Sequence, residues 1–172
     1  MSEQVDLAKN AIEQYIKNNK IILLSKNLSD EFFNTQAGVF VSIHNKKEHS
    51  LRGCIGTFKP VKKCIGEEII ANAIAAATED LRFMPIAEDE LDALEINVDV
   101  LGEMEQVDKE SELNPKKYGI YITTKDGRSA LLLPDLEGVD TVQKQLEITR
   151  QKGGIMLDEK IKINRFEVKR YK

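Results

Sequence analysis

The sequence has no tryptophan, and only two cysteines, two histidines and four prolines among 172 residues. Two cysteines, Cys54 and Cys64, fit a reducing compartment better than a disulfide framework. With His44 and His49 they complete no zinc spacing, so neither a metal nor a cofactor is expected. No apolar run reaches the roughly 20 residues of a membrane-spanning helix. The opening MSEQVDLAKN lacks the basic-then-apolar layout of a secretory signal, which makes the cytoplasm the expected location. An excess of positive charge is missing too. At a formal net charge of −4 a general electrostatic grip on nucleic acid is not expected. Basic residues do gather near the end (Lys160, Lys162, Arg165, Lys169, Arg170, Lys172), but acidic residues interleave with them, as on a solvated strand face.

What is present is an ordinary globular balance, 41% hydrophobic and 31% charged, in a chain long enough to bury one core. Val5, Ala8, Ile12, Tyr15 and Ile16 recur at three- and four-residue steps and predict a first helix, with Ser2 or Asp6 as its cap. Lys20 to Gln36 has an apolar IILL patch and no clear period. From Gly38 the period drops to two, and GVFVSIHNKKEHSLRGCIGTF reads as a hairpin turning at Asn45-Lys46-Lys47. Gly66 to Glu79 is an alanine-rich helix with Ile65, Ile69, Ala73 and Ala76 or Ala77 on one face. Leu94 to Leu101 alternates as a half-buried strand.

The second half repeats that order. Gly119 opens a hairpin that turns at Asp126-Gly127, SALLLPDL returns, and a helix from about Val139 to Lys152 stops at Gly153-Gly154. IKINRFEVKRYK closes the chain as a strand whose phase slips near Asn164-Arg165, the mark of a bulge. The expectation is therefore an α+β domain over residues 1–172. It has a mixed or antiparallel sheet with packed helices, and an internal β-hairpin–α–β duplication over 38–101 and 119–170.

Two segments could carry chemistry. In SLRGCIGTFKP, Arg52 sits two residues from Cys54, on the same face of a regular strand, where a guanidinium lowers a thiol's pKa. Gly53 and Gly56 would admit a ligand or another backbone, and Thr57 adds a hydroxyl. The opposing reading is a free cysteine buried as a small hydrophobe, with glycines that serve the backbone. In TEDLRFMP, Asp80 and Arg82 follow a helix on a loop, and Arg82 suits a carboxylate or phosphate. A local ion pair that ends the helix is the alternative. His44 is a candidate base for Cys54 if the hairpin brings the two together.

LRGCIGTFKP, the alanine-rich helix, DLRF, LEINVDVL, GIYI and LLLPDL occur in an order that resembles the AMMECR-one-like family from about residue 7 to 170. The resemblance implies a two-lobed α+β fold with the signature Leu51, Arg52, Gly53, Cys54, Ile55, Gly56 and Thr57 near a cleft between the lobes. It also implies partnership with Memo-like and radical-SAM proteins, and no established reaction. Leu81 stands where the family pattern has proline and Asp135 where it has glutamine. The resulting expectation is a protein that binds, or acts through Cys54 as nucleophile on, a small anionic ligand. Its candidate ligand residues are Arg52, Gly53, Gly56, Thr57, Asp80 and Arg82. The alternative is a non-catalytic adaptor for those partners. Neither nucleic acid nor a membrane is an expected partner.

Overall fold

Ser2 starts the first helix. In the computed structural model, which describes residues 2–172, the Ser2 hydroxyl accepts from the Val5 amide at 3.4 Å and α1 runs over Glu3–Asn18. It ends at Asn19 in a left-handed conformation, φ 50°. The chain then forms two compact units, one running to Val100 and taking in Arg170–Lys172, the other Leu101–Lys169.

In the first unit, β1 (Val39–Asn45) and β2 (Leu51–Thr57) form the expected hairpin, and β3 (Leu94–Leu101) pairs antiparallel with β1 on its other side. Val39, Val41 and Ile43 are fully buried against the helical layer. That layer is α1 together with α3 (Ile65–Thr78), whose Ile65, Ile69, Ala73, Ala76 and Ala77 are buried as their spacing predicts. Each isoleucine removed from water in this way contributes about 1.5–3 kcal/mol. Between α1 and the hairpin, residues 20–36 form no strand: they turn at 26–28 and again through one helical turn, α2 (Glu31–Asn34), which buries Phe32. The missing period there reflects a segment that belongs to no sheet and to no long helix.

The second unit follows the same order. β5 (Gly119–Thr124) and β6 (Ser129–Leu132) form a hairpin through Gly127, whose φ of 92° the turn requires. The helix α4 (Val142–Lys152) is capped by Thr141, three residues later than the expected start. β7 (Ile161–Phe166) pairs antiparallel with β5, and β4 (Glu105–Val107), a short strand with no clear sequence signal, pairs with β7. Ile120, Ile122, Leu132 and Leu146 form the core of this unit.

The fold class is as expected, α+β with antiparallel sheets and packed helices, and the strands lie in two four-stranded sheets, ordered β2-β1-β3-β8, where β8 is Val168–Tyr171, and β4-β7-β5-β6. One detail differs from the expectation. The phase slip in the last segment is no bulge: the strand breaks at Glu167, and β8 (Val168–Tyr171) joins the other sheet. A chain that leaves one sheet for another has to reset which side chains turn inward.

Candidate functional site

The hairpin register decides what surrounds Cys54. Cys54 pairs with Ser42 on β1, and Ser42 pairs in turn with Asn97 on β3. Directly opposed residues in a sheet share a face, so these three form a row on the face turned away from α3. The Ser42 hydroxyl donates to Cys54 Sγ at 3.2 Å. Asn97 Oδ1 is buried and has no partner among the described residues. The next row is Gly56, Phe40 and Asp99. Asp99, 3% exposed, holds Arg170 through Nε at 2.7 Å and Nη2 at 3.1 Å.

β2 is the outer strand of its sheet, and Asp80 and Arg82 close its edge. The Cys54 amide donates to Asp80 Oδ2 at 2.9 Å, and Arg82 Nη2 lies 3.5 Å from the Cys54 carbonyl. Arg82 grips Asp80 twice, Nε to Oδ1 at 2.9 Å and Nη2 to Oδ2 at 2.7 Å. That guanidinium, with the Cys54 and Arg82 amides, holds the Asp80 carboxyl well below the usual carboxylate range despite burial. Asp80 in turn raises the pKa of Arg82. The Arg82 side chain is nonetheless 58% exposed, and its Nη1 makes no hydrogen bond among the described residues.

The surroundings of Cys54 favour the thiol over the thiolate. Burial pushes Cys54 up, and this outweighs the Ser42 hydroxyl and the Arg82 charge, while Asp80 and Asp99 push it further. Alkylation of Cys54 in the native protein, followed by peptide across alkaline pH, is therefore expected to show a midpoint above the free-cysteine value of about 8.5. A midpoint well below that value would contradict this environment.

Several sequence-predicted residues stand elsewhere. Arg52 is fully engaged with the segment after Arg82: Nε and Nη2 each donate to Glu90 at 2.8 Å, and Nη1 donates to the Met84 carbonyl at 2.8 Å. The pairing slips between Ile43 and His44, leaving Arg52 without a paired residue on β1. It clamps the loop and does not stand beside the thiol to acidify it. Thr57 points to the helical side, where its hydroxyl donates to buried Glu68 at 2.6 Å and accepts from Asn72 at 3.2 Å. The same Glu68 accepts from the Val61 and Lys62 amides and so fixes the loop before α3. The two glycines admit protein. A Cβ on Gly53 would lie 2.2 Å from the Ala76 carbonyl oxygen, and one on Gly56 2.2 Å from the Phe40 ring. His44, two residues along β1 from Ser42, pairs with Leu51, and the group that meets the thiol is Ser42. Burial is the main cause of the lowered His44 pKa, partly offset by Glu95.

The structure thus brings Cys54, Asp80 and Arg82 together and separates Arg52 and Thr57 from them. It adds Ser42 and Asn97, which the sequence reading did not single out. The signal for Asn97 was present, since it is a polar residue on the alternating strand LEINVDVL. Among the described residues no cluster of His, Cys, Asp and Glu is arranged to hold a metal, and no helix is long and apolar enough to cross a membrane.

The sequence model of the AMMECR1 family matches residues 5–171. A protein from Thermotoga maritima is 49% identical over 169 residues, which cover 98% of this chain and 96% of that one. The Clostridium acetobutylicum protein CA_C1420 is 45% identical over 169 residues, 98% of this chain but 35% of that longer protein. The crystal structure of the uncharacterized protein PH0010 from Pyrococcus horikoshii matches with a TM-score of 0.88 at 30% identity, covering 97% of this chain and 88% of that one.

Proposed function

The chain belongs to the AMMECR1 family, and from that premise we propose that it binds a small ligand with an anionic group, held by Arg82 and lying along the Cys54–Ser42–Asn97 row. The observation that carries this reading is the state of Arg82. Asp80 fixes its guanidinium in place while more than half of the side chain stays open to solvent. A fixed guanidinium loses less freedom on binding and presents a planar fork that matches carboxylate or phosphate. With neighbouring strands about 4.8 Å apart, the three-residue row spans roughly 10 Å, the length of a small metabolite. The Ser42 hydroxyl and the unpartnered Asn97 Oδ1 give it polar groups that fix orientation. Cys54 serves as a protonated lining residue in this reading, because its surroundings disfavour the thiolate that a nucleophile needs.

The test is an amide and guanidinium NMR titration with inorganic phosphate and a panel of small phosphates and carboxylates. Binding should shift the signals of Arg82, Cys54, Ser42 and Asn97. Arg82→Gln should weaken the best binder about tenfold or more, the loss of one charge-assisted contact of roughly 1.4 kcal/mol. Binding that survives Arg82→Gln unchanged would sink the proposal.

A second reading, an adaptor that works with a Memo-like or radical-SAM protein, takes its partners from the family resemblance; the Clostridium acetobutylicum relative, in which the matched region is 35% of a longer polypeptide, supports only that such a region can be joined to further chain. Co-purification of the chain with such a protein would favour it, and activity found only in the complex would make it the main role.

A further inference from the structure

On the helical side of the first unit, Tyr15, Phe33, Ile70 and Ile74 line a groove of about 760 Å³. One wall is the extended stretch 21–24. Ile22 and Leu24 turn in towards the core, while Ile21 and Leu23 are 64% and 90% exposed. Among the described residues, 21–24 make no backbone–backbone hydrogen bond. Apolar side chains that protrude beside an apolar hollow, on a stretch of unpaired backbone, mark an interaction surface. The ligand site described above uses none of these residues.

Charge placement points to the occupant. Lys62 and Lys63 stand before the N-terminus of α3 with Glu67 in its first turn, Glu79 follows its C-terminus, and all four line the same groove, so one end carries a net positive charge and the other a negative one. The 14 residues of α3 set these opposite charges about 21 Å apart, with Ile70 and Ile74 between them. We propose that this face is where two copies of the chain associate about a two-fold axis, with the α3 helices antiparallel. An isologous interface must be complementary to itself. Here the antiparallel arrangement brings Lys62 and Lys63 of each copy to Glu79 of the other, and Leu23 of each copy enters the other's groove. The Thermotoga maritima relative, almost wholly covered by the match, carries no large additional domain to fill this face. A second copy is the partner that is always available.

The test is sedimentation equilibrium of the full chain at up to about 0.2 mM. A dimer is expected. Leu23→Asp, at a position exposed enough to leave the fold intact by thermal melting, should weaken the dimer about tenfold or more. Lys63→Glu should weaken it as well, and adding Glu79→Lys should restore it, which a merely damaged surface would not do. A chain that stays monomeric over the whole range overturns the proposal. So does a dimer indifferent to Leu23→Asp, which would use another face. A monomer whose Leu23 and Ile74 signals shift on adding an apolar helical peptide, and not on raising its own concentration, also overturns it and gives the groove to a foreign partner.

Discussion

Gly53→Ala is expected to cost about 3 kcal/mol or more, at the upper end of what one added methyl does to a packed interior. The new Cβ would lie 2.2 Å from the Ala76 carbonyl oxygen and 3.2 Å from its carbon. Both atoms are backbone in the last turns of α3, so no side chain can rotate away. The helix would have to lift from β2 and carry with it the contacts that bury Ile69, Ala73, Val41 and Ile43. Gly138→Ala is the matched control. Its φ is 75°, nothing lies within 4 Å of the added atom, and only the left-handed backbone is penalised, at about 1 kcal/mol. Urea denaturation separates the two as a drop in midpoint at unchanged slope. A Gly53→Ala loss no larger than the control would mean that the helix–strand contact does not dictate this glycine.

That result would also bear on the residues around Cys54. SLRGCIGTFKP combines a thiol, a guanidinium and two glycines in five positions, 52–56, and side-chain parity alone sets Arg52 beside Cys54. Parity fails at Arg52 because β1 slips against β2 between Ile43 and His44, a feature of the pairing that no local pattern encodes. Its partner Glu90 lies 38 residues away. Thr57, by contrast, is an odd number of residues from Cys54, so parity already sends it to the other face, where Glu68 receives it. What depends on periodicity was legible. β3 keeps its expected bounds, and α3 shifts by one residue. What depends on which strands meet was not. Ser42 and Asn97 acquire their place only when β1 lies between β2 and β3. The last segment likewise shows its phase slip in sequence but not that its halves serve different sheets.

Asp80→Ala is the second large effect expected, about 2–3 kcal/mol of stability together with loss of anion affinity. Asp80 side-chain oxygens accept from the Cys54 amide at 2.9 Å, the Arg82 amide at 3.1 Å, and Arg82 Nε and Nη2. Truncation leaves the amide of Cys54, on the outer strand, without its acceptor, and a buried unmet donor costs about 1–3 kcal/mol. The freed Arg82 adds little, because a side chain 58% exposed returns its charge to water. The pH dependence identifies the carboxylate as the cause. Its folded pKa is depressed, so its stabilising contribution is complete above the ordinary carboxylate value of about 4. That contribution falls as the pH drops from there towards the folded value. The stability gap between wild type and Asp80→Ala should therefore be constant near neutrality and narrow progressively in acid. A gap that stays constant down to the acid limit would mean that lost packing, not charge, explains the variant. Asp80→Asn divides the two roles. Its single carbonyl oxygen can still receive the Cys54 amide, so much of the stability returns. Its amide hydrogens face the Arg82 donors, so the guanidinium is no longer fixed and anion affinity stays low. Recovery of both stability and affinity in Asp80→Asn would leave Arg82 positioned by something other than Asp80, and the ligand reading would lose its support.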